Sequence, residues 1–232
     1  MGSVPAVVTE VQVELAERPD DSPLRCAFVP LSEHDVARRL AALAKPERSV
    51  FDAARGHLAD AVAFQPCTRY KSQDRFVVRQ IDVHGMKWTF TGVFDGHLGD
   101  ATVEHAAHHL PIIVQESLYK VIPGPASPMP APEVVCDMLS RGITAFDDAI
   151  AGDVLDLFPG GLASLPSRAD EEIQAVVNDF AGPSAGANYK KARLCLYGTT
   201  ALVALVDPAH ENLWVANLGD CEAGTCRASL PC

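Results

Sequence analysis

VFDGHLGD, at residues 93–100, is an apolar strand end that runs directly into Asp95, Gly96 and His97. The carboxylate of Asp95 suits a hard divalent cation, and the glycine allows the backbone to turn so that its carbonyl oxygen faces the same ion. The imidazole of His97 can donate or accept a proton close by. The stretch predicts a metal-assisted chemical site at the tip of a strand, although Asp-Gly is also a common turn dipeptide.

The segments just before this stretch predict a β-hairpin. Residues 75–83 and 87–94 are rich in Val, Ile, Phe and Trp, and they flank the dipeptide His84-Gly85. β-Branched and aromatic residues on both sides of a short glycine-containing turn are typical of paired antiparallel strands. The second strand of this hairpin would deliver Asp95 to its end.

Helices are predicted on both sides of a proline-rich loop in the middle of the chain. Asp100 is a good N-cap for the helix that follows the site, and Pro111 is expected to kink or break that helix. The next helix is predicted from about residue 132 to 154, with apolar residues at helical spacing. A further helix is predicted to be capped by Ser167 in a Ser-x-x-Asp pattern, with Phe180 at the end of its inner face.

The pattern changes again near the C-terminus. Residues 199–206 are almost continuously apolar and β-branched, which predicts a strand buried on both faces. Asp207-Pro208 turns the chain, and residues 213–218 return as a partner strand. Strands, then helices, then strands again favour an α+β fold over a βαβ alternation.

In combination, these motifs resemble the metal-dependent protein serine/threonine phosphatases of type 2C. The matching pieces are RYKSQD, with Arg69 ahead of Asp74, then VFDGHLG, GTTALVAL and LWVANLGD, in the family's order. The resemblance spans roughly residues 59–223 and implies two packed antiparallel β-sheets flanked by helical layers. The long helical insertion before residue 199 is similar to the branch that contains the pyruvate dehydrogenase phosphatases.

The resemblance implies a metal centre. Family members hydrolyse phosphoserine and phosphothreonine in proteins with two Mg²⁺ or Mn²⁺ ions, which lower the pKa of a bridging water. Carried over by motif, Asp95 would bridge the two metals and Gly96 would ligate one through its carbonyl. Asp74 would hold metal-bound waters, and Asp220 resembles a ligand of a weaker third metal, although it equally suits a turn.

The resemblance also implies two catalytic residues. His97 would protonate the leaving serine or threonine oxygen as a general acid, and Arg69 would grip the phosphate with its guanidinium. Gln73 stands where many members have Glu, and Leu98 stands where Gly is commoner.

Residues 221–232, CEAGTCRASLPC, contain none of the later aspartates that complete the family's metal site. Two metal ions need several anionic oxygens, so we expect these residues to bind metal poorly and to have little or no phosphatase activity. We expect residues 1–58 to form an N-terminal leader with one helix, capped by Ser32, and one edge strand. Residues 59–232 would form a type 2C phosphatase-like domain, incomplete at its C-terminus, whose first strand lies in the apolar run at 59–64.

Composition and charge limit the classes of partner and the cellular compartment that we expect for this protein. The chain has 232 residues, of which 48% are hydrophobic, and this is enough for one domain with a sizeable core. A formal net charge of −11 argues against nucleic acid as a partner and leaves a phosphoprotein substrate as the expected one. Seven cysteines without a C-x-x-C pair indicate reduced thiols. The acidic N-terminus shows no targeting signal and no segment is apolar enough for a membrane, so we expect a cytoplasmic protein, although the family branch would place it in mitochondria.

Two other functions fit the same sequence. The chain could be a catalytically inactive pseudophosphatase that acts as a binding or regulatory module. Alternatively, His105, His108 and His109, at i, i+3 and i+4 of a helix, could make an unrelated α+β metal-binding domain, although a solvated helix face explains them as well. The oligomeric state stays open.

Overall fold

The computed structural model describes residues 31–64, 71–183 and 185–226. They form a mixed α+β fold with antiparallel sheets and packed helices, which confirms the predicted fold class. In chain order the elements are α1 (Glu33–Ala44), β1 (Glu47–Asp52), β2 (His57–Ala61), β3 (Arg75–Val83), β4 (Met86–Phe94), β5 (Gly96–His97), α2 (Ala101–Val121), α3 (Pro132–Leu155), a 3₁₀ helix (Gly161–Ser167), α4 (Asp170–Val177), α5 (Ala187–Leu196), β6 (Gly198–Thr199), β7 (Ala201–Val206) and β8 (Leu213–Leu218).

The main sheet has four antiparallel strands in the order β3-β4-β7-β8. The predicted hairpin is confirmed: β3 pairs with β4 from Arg75 opposite Phe94 to Val83 opposite Met86. Its two-residue turn at His84 and Gly85 has φ angles of 53° and 85°, the left-handed geometry that suits a tight hairpin. Strand β8 closes the sheet beside β7, as predicted.

One face of the main sheet carries the core. Alternation along β4 places the fully buried Trp88, Phe90 and Phe94 on that face, and Gly92 leaves room for the Phe94 ring. Helix α2 packs on β3 and β4, and α3 packs on α2 and β8. The buried residues that meet there from the helices are Val103, Ala106, Leu110, Val114, Leu118, Val135, Met138 and Leu139.

The opposite face of the sheet is more open. In β7 the buried residues alternate with half-buried ones, so the prediction that this strand is buried on both faces is wrong. Val93, Leu213 and Val215 are about half exposed, at 49%, 50% and 46%. The apolar side chains of this face are therefore incompletely covered by the described residues.

Helices α2 and α4 differ from prediction, and helix α5 was not predicted. Helix α2 continues through Pro111, which is buried, so the predicted break is wrong. Proline removes only one backbone donor, and the apolar face on either side of Pro111 holds the helix against the sheet. Helix α4 is preceded by Ala169 as its N-cap because Ser167 belongs to the 3₁₀ helix, and Phe180 lies beyond its end, 64% exposed.

A small hairpin precedes the main sheet. Strand β1 was not predicted; it pairs with β2 from Glu47 opposite Ala61. The predicted boundary after residue 58 falls inside β2, and the domain division stays a prediction. The helix expected in the leader is α1, whose N-cap Ser32 accepts a hydrogen bond from the Asp35 amide at 3.1 Å. The edge strand predicted within residues 1–30 lies outside the described residues.

None of the helices in the described part of the chain combines the length and the apolar character that crossing a bilayer requires.

Candidate functional site

The candidate site lies at one edge of the main sheet, where β3 and β7 begin and β4 and β8 end; we call it the Asp95 edge. The terminal pairs there are Arg75 with Phe94 and Ala201 with Leu218. Asp74 and Asp95 therefore leave the sheet as neighbours, and Asp220 follows the end of β8 at the same edge. The register places three of the carboxylates that the sequence singled out at the same edge of the sheet.

Thr200 fixes the backbone of Asp95 at this edge. The Thr200 amide donates to the Asp95 carbonyl at 2.9 Å, and the Asp95 amide donates to the Thr200 hydroxyl at 3.1 Å. The same hydroxyl lies 3.0 Å from the sulfur of Cys221. Sequence reasoning treated Thr200 only as a strand residue, and its position within GTT next to the apolar run gives no sign of this role.

Gly96 is required by close packing. A Cβ atom at this position would lie 2.6 Å from the Gln73 carbonyl oxygen and 2.8 Å from the side chain of Val103. Its φ angle is not in the left-handed region, so the expected need for a permissive turn is not the reason for glycine here. The glycine lets the site segment lie directly against the start of β3 and the first turn of α2.

His97 is held in the short β5–β6 pair. It lies opposite Gly198, and a Cβ atom at 198 would overlap the Nε2 atom of the imidazole. The ring is exposed on its other side and borders a cavity between the helices. Gly198 thus provides the space that lets the imidazole sit at the edge.

The loop after His97 is stapled by Gln73. Its Oε1 atom accepts a hydrogen bond from the Gly99 amide at 2.8 Å. A Cβ atom at Gly99 would overlap the ring of Tyr197, so this position also depends on glycine. Leu98, which lies between His97 and Gly99, is 75% exposed and has a φ angle of 64°, in the left-handed region. This backbone conformation gives a physical reason why glycine suits position 98.

Arg75, a cationic residue at the edge, already binds backbone carbonyls and a carboxylate. The guanidinium of Arg75 donates to the carbonyls of Ser72 and Asp74 at 2.9 and 2.8 Å, and it pairs with Glu104 of α2 at 2.8 Å. Arg75 therefore braces the start of β3 against α2. Arg69 lies outside the described residues, and its phosphate-binding role stays a prediction.

The end of β8 makes a turn around Asp220. Gly219 has φ 111°, and a Cβ atom there would lie 2.7 Å from the Thr200 side chain. The Asn217 amide side chain donates to the carbonyls of Gly219 at 3.3 Å and Cys221 at 2.8 Å. The Asp220 side chain is exposed.

The carboxylates at the Asp95 edge do not by themselves supply what Mg²⁺ or Mn²⁺ requires. Asp74, Asp95 and Asp220 are all exposed. Across the three described ranges, no group of three or more His, Cys, Asp or Glu side chains lies close enough to hold one metal ion. Two divalent cations need several anionic oxygens in contact, so the described residues do not fit a dinuclear centre by themselves.

The three histidines of α2 lie next to one another without forming a ligand set. The rings of His105 and His109 are 4.2 Å apart, and His105 stacks on Phe146 of α3 at 5.4 Å. The pKa of His105 is lowered, chiefly because burial disfavours the charged ring and then because His109 and His108 are close. Within the described residues these histidines form no group of three or more ligands that could hold a metal ion.

Comparisons with known proteins are sparse. No family model and no curated protein matches the chain. Of the 32 solved chains that match, one is described as the structure of a C. elegans sex determining protein. It is 20% identical, the match covers 66% of this chain and 28% of that chain, and the TM-score is 0.37. At these values the likeness supports no conclusion about family or function.

Proposed function

We propose that this protein belongs to the Mg²⁺- or Mn²⁺-dependent protein phosphatases of type 2C, which act on phosphoserine and phosphothreonine. We further propose that these 232 residues by themselves bind metal weakly and have little turnover. The observation that supports the proposal is the register of the main sheet, which places Asp74, Asp95 and Asp220 at one edge. His97 follows Asp95 by two residues at the same edge. These are the positions that the family motifs single out.

Four residues of the edge have roles in this proposal. Asp95 binds a divalent cation, and Thr200 orients its backbone through two hydrogen bonds. His97 donates a proton to the leaving serine or threonine oxygen, a task that suits an imidazole at neutral pH. Gly198 leaves the space in which that imidazole lies.

The first experiment measures metal binding and hydrolysis on the same samples. Mn²⁺ binding is followed by electron paramagnetic resonance, and p-nitrophenyl phosphate is the substrate. We expect weak Mn²⁺ binding that Asp95→Asn removes and that Asp148→Asn, an exposed carboxylate on α3, leaves unchanged. We expect any turnover to be slow, abolished by EDTA, and strongly reduced in His97→Gln.

Two results would contradict the proposal. Equal Mn²⁺ binding by the Asp95→Asn and Asp148→Asn variants would show that the cation does not bind at the Asp95 edge. Turnover at the rate of an ordinary phosphatase would show that the described carboxylates are sufficient and that the weak-binding part is wrong.

A second candidate function is a pseudophosphatase that binds phosphoproteins without hydrolysing them. The absence of a three-ligand cluster within the described ranges favours it. Anisotropy of a fluorescent phosphoserine peptide, with EDTA or with Mn²⁺, separates the two functions. A pseudophosphatase would hold the intact peptide equally well in both, whereas the phosphatase would need Mn²⁺ and release the dephosphorylated peptide.

A further inference from the structure

A cavity of about 210 Å³ lies beside His97 and is also lined by Gly198 and Leu218 of the Asp95 edge. Its floor is formed by Ala106 and Leu110 of α2 and by Ala201 of β7, all of which are buried. Residues of α3 and α5 also line it. His97 and Gly198, which have roles in the proposed phosphatase reaction, line it, whereas Asp74, Asp95 and Asp220 do not.

The cavity wall is more apolar than polar, although Thr102, Tyr197 and Thr199 also line it, and the cavity is large enough for an aromatic ring. Ile143, Phe146 and Ile150 line it from one face of α3, and Leu194 lines it from α5. An apolar cavity of about 150 Å³ in another protein is known to bind benzene, so this volume admits a benzene-sized group. Apolar walls with a few polar groups at the mouth are the usual composition of a small-molecule site.

The mouth carries an uncommitted negative charge. Asp147 of α3 borders the cavity, is exposed, and has no cationic partner within 4 Å among the described residues. Two of the three basic residues of α5 pair elsewhere: Lys191 lies 3.7 Å from Asp153, and Arg193 lies 4.0 Å from Asp100. The third, Lys190, forms no ion pair with Asp147 within 4 Å. Charge complementarity therefore favours a cationic ligand at this mouth.

We propose that this cavity binds a small amphiphilic amine, with an aryl or branched alkyl group inside and its ammonium group against Asp147. The burial of the apolar group provides most of the affinity, and the exposed ion pair adds selectivity for the cation. The site shares His97 and Gly198 with the Asp95 edge, but binding of the amine requires neither metal nor phosphoester.

Cys195 provides a direct readout because its thiol is exposed and borders the cavity. Phenethylamine is the probe, and iodoacetamide labelling at pH 7 is read by mass spectrometry of the individual peptides. We expect saturating phenethylamine to slow the labelling of Cys195 several-fold. Cys136 is exposed on α3 but does not line the cavity, so its labelling rate should not change.

Matched variants test the two halves of the proposed ligand site. Asp147→Asn should weaken protection by phenethylamine about three- to fivefold, the upper part of the range for an exposed ion pair, while the adjacent Asp148→Asn should not. Ala151→Phe should fill the cavity from its exposed rim and abolish protection. Ala149→Phe, on the same helix but off the cavity, should preserve it.

Several outcomes would overturn the proposal. One is the absence of Cys195 protection at millimolar phenethylamine while Cys136 and Cys195 both label normally. Others are equal protection by phenethylamine and by phenylacetate, or equal protection in Asp147→Asn and Asp148→Asn, because either would exclude the charge pairing. Asp95→Asn should bind phenethylamine normally, so a failure of the phosphatase proposal and a failure of this one are distinguishable.

Discussion

The helical face of the main sheet is held by large buried side chains, whereas the Asp95 edge is held by glycines and hydrogen bonds. On the helical face, Trp88 and Phe90 are fully buried against α2 and α3. At the edge, Gly96 and Gly198 let chain segments lie in contact, and Thr200 ties two strand ends together. The difference shows that close packing and hydrogen bonds can hold the backbone of a candidate site while its carboxylates stay exposed, with no ion-pair partner among the described residues.

The largest expected effect is on the helical face. Phe90→Ala should lower the free energy of unfolding by about 3–5 kcal/mol, because it leaves a cavity in the centre of the core. Urea denaturation measures the change. Phe180→Ala is the matched control since that ring is 64% exposed, and a similar loss in both variants would contradict the assignment of the core.

Gly96→Ala tests whether close packing holds the edge as strongly. The new methyl group would meet the Gln73 backbone and Val103, so we expect a loss of about 2–3 kcal/mol in the same measurement. Gly152→Ala in α3 has open space around it and should instead stabilise the helix by up to about 1 kcal/mol. If Gly96→Ala were neutral, the contact between the site segment and β3 would be looser than described.

Two threonines separate hydrogen bonding from shape. Thr200→Val removes the acceptor of the Asp95 amide and should cost about 1–2 kcal/mol. Thr89→Val removes a buried hydroxyl that has no hydrogen-bond partner among the described residues, and should be neutral or stabilising. Equal effects of the two substitutions in thermal denaturation would show that Thr200 contributes through its shape alone.

Leu98 offers a small gain at the edge. Leu98→Gly relieves the left-handed φ of 64°, and we expect a net stabilisation of about 0.5 kcal/mol after the entropy of glycine is subtracted. Leu98→Ala retains the strain and should give no gain. Differential scanning calorimetry would detect the difference as a raised Tm for the glycine variant only.

The smallest effect concerns pH and a contact away from both regions. The rings of His57 and His210 stack at 3.4 Å, linking the β1–β2 hairpin to the β7–β8 turn. The pKa of His210 is lowered below 6.5, first by burial and then by the charge of His57, with Arg55 adding to the shift and Asp207 and Asp52 opposing it.

Because the folded protein binds this proton less readily than the unfolded chain, the stabilisation from His210 is complete above about pH 6.5. It is lost as the pH falls through the lowered pKa of the folded state. His210→Phe keeps a ring and removes the titration, so its stability should fall less between pH 7 and pH 5. Identical slopes for the variant and the native sequence in urea titrations would exclude this contribution.

The fold was predictable wherever local signals decide it. His84-Gly85 determines the β3–β4 turn, and Pro132 begins α3 at the first helical position where its missing amide hydrogen is harmless. Strand β1 was missed because ERSVFD has no clear alternation. Helix α5 was missed because ANYKKARLCL has little apolar periodicity, and it is held by contacts with α2, α3 and α4.

The candidate site was predictable only in part. A hairpin ending at Asp95 places Asp74 opposite it by register alone, so that neighbourhood follows from the sequence. The hydrogen bond between Asp95 and Thr200 joins residues 105 positions apart in the sequence. His97 and Gly198, whose close packing requires glycine, are separated by nearly as many positions. Local patterns carry no trace of such contacts, because they arise only when β7 inserts beside β4.

The imidazole at position 97 occupies the volume that any side chain at position 198 would need. Substitutions at the two positions are therefore coupled: a larger residue at 198 is compatible only with a smaller one at 97. Among descendants of this sequence, loss of the glycine should accompany loss of the histidine, and a designer who grafts this edge onto another scaffold must transfer both residues together.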